Sequence, residues 1–286
     1  MRRPGLIVTA DDFGLHPSVN LAVERAWQAG TLAAASLMVG APAAQDAIAR
    51  ARACAGLHAG LRVGLRVGLH LVLADGQPVL PARLVPDLVG ADGRFGLHMV
   101  RAGVRFFCLP RVRRQLRDEI EAQFAAFAGA GLALDHVNAH KHFHLHPTVL
   151  SLLLEVGRGF GLRAVRLPRD AGAPPWLRPW LSLLRMRLER AGVAHNDYLV
   201  GLRQSGRFGE AALLAALDAL PAAGVGELYL HPALESGAAI APSMRGYRHA
   251  DEFAALLSPR VHAACARLRE RGVRFGGFAD LLGRPP

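Results

Sequence analysis

The sequence predicts an α/β fold, built as a single distorted (β/α) barrel. Three observations carry that expectation. Short apolar runs rich in β-branched residues alternate with amphipathic, helix-like stretches. Six to eight such units follow one another with no linker-like break, which suggests one domain over residues 1–286. Ionisable residues recur where the strands end. Alternation implies parallel strands joined by crossover helices, and single barrels commonly reach this length. An open doubly wound sheet is the competing arrangement.

The elements follow in order. "GLIVTA" (Gly5–Ala10) reads as a buried strand running into a polar loop. Pro17–Ala29 reads as a helix, with His16 before it and Gly30 after it. "TLAAASLMVG" is a second strand, and Pro42–Ala53 a helix. "LRVGLRVGLHLVL" holds a tandem LRVG, too short a repeat to mean a solenoid; its second half reads as a strand ending near His70. Residues 74–97 carry Gly, Pro and Asp and read as a long loop. Arg111–Ala130 is a helix, "LDHVN" a strand, Pro147–Gly161 a helix and "RAVRLP" a strand. Pro174–Gly192 and Glu210–Leu220 are helices, "GELYLHP" a strand, Asp251–Arg271 a helix and "VRFGGF" a last strand.

Composition narrows the partners. Hydrophobic residues make up 51% of the chain, ample for a core and against disorder. The net charge of +11 comes almost wholly from arginine, Lys141 being the one lysine. Such a surplus favours anionic partners. Cys54, Cys108 and Cys265 lie far apart with no CxxC spacing, so neither a disulfide framework nor a cysteine zinc site is expected. A reducing compartment fits, and no charge-free stretch reaches the roughly 20 residues needed to span a bilayer. A cytoplasmic protein, peripheral at the inner membrane face, is the expectation. No nucleic-acid motif accompanies the positive charge.

The chemistry concentrates in "VNAHKHFHLHP" (Val137–Pro147), where His140, His142, His144 and His146 alternate with other residues. Extended, that spacing would put the four imidazoles on one face. A surface histidine tract and a metal site both fit it, imidazole being a common metal ligand. Other ionisable groups fall at the carboxyl ends of predicted strands: Asp11 and Asp12, His70, Arg166 and His231. Parallel α/β folds build their sites there. Taken singly, each has a plainer explanation: a helix-capping carboxylate, a satisfied core histidine, a surface ion pair. Their joint placement points to a site.

In chain order, "TADDFG", "VGLHL", "VNAHKHFHLHP", "RLPRD" and "GELYLHP" resemble the blocks of the YdjC-like carbohydrate deacetylases, the chitooligosaccharide deacetylase family. The likeness runs from Gly5 to at least Pro232. "HKHFHLHPT" is similar in particular to the deacetylases associated with hopanoid biosynthesis, which act on N-acetylglucosaminyl hopanoids. The resemblance implies a barrel of the glycoside hydrolase/deacetylase type and a divalent metal ion, zinc or magnesium. It implies Asp12, His70 and His140 as metal ligands, Asp11 as general base and His231 as acid. His144, Arg166, Asn138 and His142 would support the ligands or the substrate. Many family members carry Asp-Ser where this chain has Asn138-Ala139, which changes the hydrogen bonding beside the site.

The chemistry independently suits those residues. An amide is a poor electrophile and water a poor nucleophile; two histidines and a carboxylate on a divalent ion leave positions for both. A neighbouring carboxylate can take the water proton. Successive side chains diverge, so Asp11 and Asp12 divide naturally into one base and one ligand. The resemblance makes an N-acetylated amino-sugar lipid the expected substrate. A soluble chitooligosaccharide is the enzyme alternative, and a non-catalytic sugar- or lipid-binding barrel the alternative of another class. Two arginine-rich stretches, Arg105–Arg117 and Pro174–Gly192, read either as amphipathic helices packed on the barrel or as interfacial elements whose aromatics, Trp176 and Trp180 among them, meet anionic lipid. A homodimer is a further arrangement this reading admits.

Overall fold

The computed structural model describes residues 3–56, 64–170, 174–235 and 240–283. Among the described residues, seven strands form one parallel sheet: β1 (Gly5–Phe13), β2 (Ala34–Leu37), β3 (Arg66–Leu71), β4 (Leu134–Ala139), β5 (Tyr198–Val200), β6 (Val225–Leu230) and β7 (Arg274–Phe275). Their order is β4-β3-β2-β1-β6-β5, and β7 pairs with the start of β1. Every residue of β1 is buried, as expected of a strand covered on both faces.

The sheet curls into the expected distorted barrel. Its open side, between β4 and β5, is crossed by the "RAVRLP" segment. That segment makes only single bridges, Val165 to Val137 on one side and Ala164 to Ala194 on the other, and Asp170 meets Leu199 beyond them. Val137 N donates to Ala164 O at 2.9 Å, and Arg166 N to Val137 O at 3.0 Å. The expected strand is therefore a bridging segment rather than a laddered one.

Ten helices among the described residues complete the fold: α1 (Pro17–Gln28), α2 (Ala44–Ala53), α3 (Met99–Cys108), α4 (Pro110–Gly129), α5 (Pro147–Gly159), α6 (Arg178–Arg190), α7 (Glu210–Asp218), α8 (His249–Leu257), α9 (Pro259–Glu270) and α10 (Phe278–Leu282). The single helix expected over Asp251–Arg271 is two. Pro259 holds Ser258 in an extended conformation, and the Ser258 hydroxyl caps the new helix at Arg260 N. The expected last strand reduces to β7, and the chain then turns into α10. The first copy of the LRVG repeat falls largely on residues 61–63, outside the described residues. The second copy ends at Gly68, where a Cβ would lie 2.5 Å from the His136 ring; glycine makes room for a histidine inside the barrel.

The stripe on α6 is core. Leu181, Leu184 and Leu188 are buried, and Trp180 donates from its indole nitrogen to Leu145 O at 3.1 Å. Trp176, ahead of the helix, stands out in solvent, and Leu183 and Met186 are exposed off the stripe. Among the described residues no helix is long and apolar enough to cross a membrane.

Candidate active site

The carboxyl ends of β1, β3 and β4 bring three side chains together. Asp12 Oδ1 lies 3.0 Å from His140 Nδ1 and 3.3 Å from His70 Nε2, and the two nitrogens are 3.4 Å apart. All three residues are buried. Asp12 reaches this position with a left-handed φ of 62°, at a register irregularity between Ala10 and Phe13. Neither of its buried oxygens accepts a hydrogen bond. With both imidazoles neutral and their facing nitrogens unprotonated, one carboxylate oxygen and two ring nitrogens converge on a point that suits a shared cation. Ligands on a tetrahedral zinc ion at ordinary bond lengths sit about 3.3 Å apart, and adjacent ligands on octahedral magnesium about 2.9 Å apart. The observed triangle fits a small divalent ion, nearer the tetrahedral spacing. Burial works against charge on Asp12, but His140 and His70 hold its carboxyl well below the usual range. Burial likewise opposes charge on His140, while Asp12 and Asp75 raise it to about 9.

Asp11 points the other way, as the divergence of successive side chains requires. Arg166, itself fully buried, grips it with Nη1 at 2.5 Å from Oδ2 and Nη2 at 2.9 Å from Oδ1. Glu227 on β6 takes the rest of the guanidinium at 2.9 and 2.6 Å. Burial would raise the Asp11 pKa, yet Arg166 holds it far below the carboxylate range. Asn138 joins the two halves of the site. Its side-chain nitrogen donates to Asp11 Oδ1 at 3.0 Å, and its oxygen lies 2.7 Å from His70 Nδ1. That contact fixes the tautomer that leaves His70 Nε2 facing Asp12. The amide at 138 thus supplies the donor that Asp11 needs, which an ionised Asp would lack.

The histidine tract is not extended. It forms a tight turn over His140–Leu145, with Lys141 and His142 both near φ 55°. The four imidazoles therefore share no face, and His144 does not steady His140. It backs onto Arg166 instead, its Nε2 lying 3.0 Å from Arg166 O, and burial lowers its pKa to about 3. His142 is half-buried and edges against Tyr229. His146 packs against Phe106 beneath α3. His231, just past β6, lies 4.0 Å from Asp12 Oδ2 and lines a cavity of about 330 Å³ with Asp11, His142, Tyr229 and Tyr247. Burial favours the neutral His231 imidazole, against the pull of Asp12 and Asp11.

The sequence reading passed over several of the site's residues. Glu227 was visible as a carboxylate inside the apolar run "GELYL", where a buried charge demands a partner. Ser36 accepts from Asn138 at 3.0 Å, and Tyr247 edges against His231, but neither carries a sequence signal. Asp75 sits in a stretch read as loop. Its Oδ2 lies 2.9 Å from Lys141 Nζ and 3.8 Å from His140 Nε2, and it accepts from the Ser243 hydroxyl.

Known proteins resemble the chain over nearly its whole length. The family described as YdjC-like protein matches residues 5–267. A carbohydrate deacetylase of Mus musculus is 31% identical, over 99% of this chain and 97% of its own length. A chitooligosaccharide deacetylase of Serratia marcescens is 29% identical, over 96% and 98%. Among solved structures, a protein of Enterococcus faecalis V583 described as a candidate cellobiose-phosphate cleavage protein superposes with a TM-score of 0.74. It is 24% identical and covers 98% of this chain and 99% of its own, a likeness of fold. The chain belongs to the YdjC-like family.

Proposed function

We propose that this chain is a metal-dependent carbohydrate N-deacetylase, acting on an N-acetylglucosaminyl glycolipid at the inner membrane face. The observation that carries the reaction is the buried Asp12–His70–His140 triangle beside an ionised Asp11, with Asp11, His70 and His140 lining one cavity. Asp12, His70 and His140 would hold a divalent ion, which would supply Lewis acidity toward the acetamide carbonyl and a water.

The chain's own groups do the rest. Asp11 Oδ1 has both acceptor positions filled, by Arg166 and Asn138, while Oδ2 holds one bond and keeps a position open for a water proton. Arg166 keeps that carboxylate charged and aimed, at the expense of basicity, so the water must be acidified for the transfer to run. His231 lies across the cavity from Asp11, where it can hand a proton to the departing amine. Burial keeps it neutral at rest, so it must first take up a proton, from solvent or from the Asp11 carboxyl once that has accepted the water proton, before it can protonate the amine. Tyr229, Tyr247 and Ser205 line the same space and offer a sugar ring apolar faces and hydroxyl partners.

Two observations support a lipid-linked substrate: the "HKHFHLHPT" likeness and an exposed apolar stripe on α3, beside the mouth. The soluble alternative has the naming of relatives such as that of Serratia marcescens in its favour. Acetate release from an N-acetylglucosaminyl lipid and from a chitin dimer, each with and without chelator, separates them. Release from the lipid alone, abolished by chelator, is expected. Faster release from the dimer overturns the lipid reading, and no release from either leaves a binding barrel.

A further inference from the structure

We propose that Asp75 is a positioning residue of the metal centre, acting on His140 through its outer ring nitrogen. The proposal rests on reading Asp12, His70 and His140 as that centre. His140 presents Nδ1 to Asp12 and therefore turns Nε2 away, and the Asp75 carboxylate stands on that side at 3.8 Å. At that distance the pairing is electrostatic rather than a hydrogen bond: a carboxylate behind a ligating imidazole favours the proton on the far nitrogen and strengthens the near one as a metal ligand.

The two histidines are backed differently. His70 rests on a neutral amide oxygen, that of Asn138, inside the barrel. His140 is on the rim, ahead of a turn with two left-handed residues, and has no strand partner to steady it. Its support comes from a charged group on a separate loop. Asp75 is itself held in a left-handed conformation, with a φ of 52°. Non-glycine residues resist that region unless the surroundings enforce it. The enforcement is visible: the carboxylate is tied to Lys141 at 2.9 Å and to the Ser243 hydroxyl, so three rim segments meet on one side chain. Lys141, the sole lysine of the chain, anchors Asp75 from the residue next to the ligand.

Zinc affinity, measured on the full chain by competition with a chromogenic chelator, tests this without reference to turnover. Asp75→Ala should bind zinc about 10–100-fold more weakly than the parent, the loss typical of an outer-shell partner. Asp75→Asn, which keeps an acceptor but not the charge, should fall between. Lys141→Met and Ser243→Ala remove the clasp but leave the carboxylate behind His140, and should stay within about threefold of the parent, well under that outer-shell loss. Parental affinity in Asp75→Ala overturns the proposal. So does an equal loss in Lys141→Met, which would make the carboxylate a loop clasp only. A thermal melt of the zinc-free variants checks folding, and if Asp75→Ala melts early the Asp75→Asn value decides. His140→Ala separates the two readings: if it binds zinc like the parent, the metal centre fails and the proposal with it; if it does not, Asp75 stands or falls alone.

Discussion

The floor of the barrel closes on itself, whereas its mouth leaves polar groups unanswered. At the floor, Asp135 accepts from Phe278 N at 3.0 Å, from Ala279 N at 2.9 Å, and pairs with His136 Nδ1 at 2.9 Å. Arg66 and Asp280 pair at 2.6 Å, and Phe278 stacks on His136 at 4.5 Å between centroids. At the mouth, both oxygens of Asp12 and ring nitrogens of His142, His144 and His231 are buried without a hydrogen-bond partner. The four non-glycine residues with positive φ among the described residues are Asp12, Asp75, Lys141 and His142, all on the mouth. Buried polar groups are normally satisfied and backbone strain is normally relieved. Where both rules fail together, the residues have been kept for something other than stability. Volume alone would mislead, since a cavity of about 1060 Å³, larger than the one at the mouth, lies at the floor beside Asp135.

The sharpest break in that comparison is to remove an inner ligand. His70→Ala and His140→Ala should each lose bound metal and activity together, by more than the roughly 10–100-fold that outer-shell changes cost. Elemental analysis beside an acetate assay reads both. Full occupancy in either variant removes that histidine from the centre. Asp11→Asn should do something different: keep the metal and lose turnover by about 10²–10⁴-fold, because an amide cannot take the water proton. A parental rate in Asp11→Asn, with metal retained in Asp12→Asn, would mean the two aspartates have each other's roles.

The floor should respond in the opposite sense. Phe278→Ala opens a void against His136 and should cost about 3–5 kcal/mol of stability. Below its lowered melting temperature it should hold metal as the parent does. Loss of metal in a still-folded Phe278→Ala would show that the floor sets the geometry of the mouth, through Ser36 and Asn138.

Much of this was legible in the sequence, and the rest was hidden for physical reasons. β1, β3, β4 and β6 are apolar runs ending in ionisable residues, so period and chemistry marked them together. Asp11, Asp12, His70, His140 and His231 were found by where strands stop. β5 is three residues long, too short for a pattern. α3 buries only Gly103 and Phe106, so its period was masked by apolar residues that face outward. The histidine tract misled because alternation implies a strand only if the backbone stays extended, and left-handed Lys141 and His142 break that condition. Asp75 had no signal at all; its role arises from three loops meeting.

A smaller effect lies in Glu252, which joins the mouth to α8. It accepts from Phe208 N at 3.0 Å and from His231 N at 2.5 Å, and burial pushes its pKa up to about 7. Its folded pKa exceeds the unfolded value of 4.5, so its contribution to stability is complete below pH 4.5. That contribution is lost as pH rises through about 7, and the swing is about 3 kcal/mol. Melting temperature should therefore fall across this window, and Glu252→Gln should flatten the fall. An equally steep fall in the variant would assign it to other groups.

The smallest expected effect concerns the outside of the mouth. Val100, Val104 and Phe107 form one stripe on α3, and Val100 is 84% exposed. An adjoining face of the helix packs Phe106 on Phe143, which ties α3 to the histidine turn. Exposed arginines, Arg101 and Arg114, stand on α3 and α4. Such a face suits an anionic lipid surface, with about 1 kcal/mol per basic residue near it. Binding of that origin is weak and fades as salt shortens the Debye length. Phe107→Asp should therefore keep its melting temperature and lose co-sedimentation with anionic vesicles at low salt. Trp180→Asp should do the reverse, because that indole is bonded to Leu145 and sits beside a buried stripe. If Phe107→Asp sediments like the parent, α3 is not the contact. If the parent itself fails to sediment at low salt, the exposed stripe serves something other than a membrane, and the substrate reaches the mouth from solution.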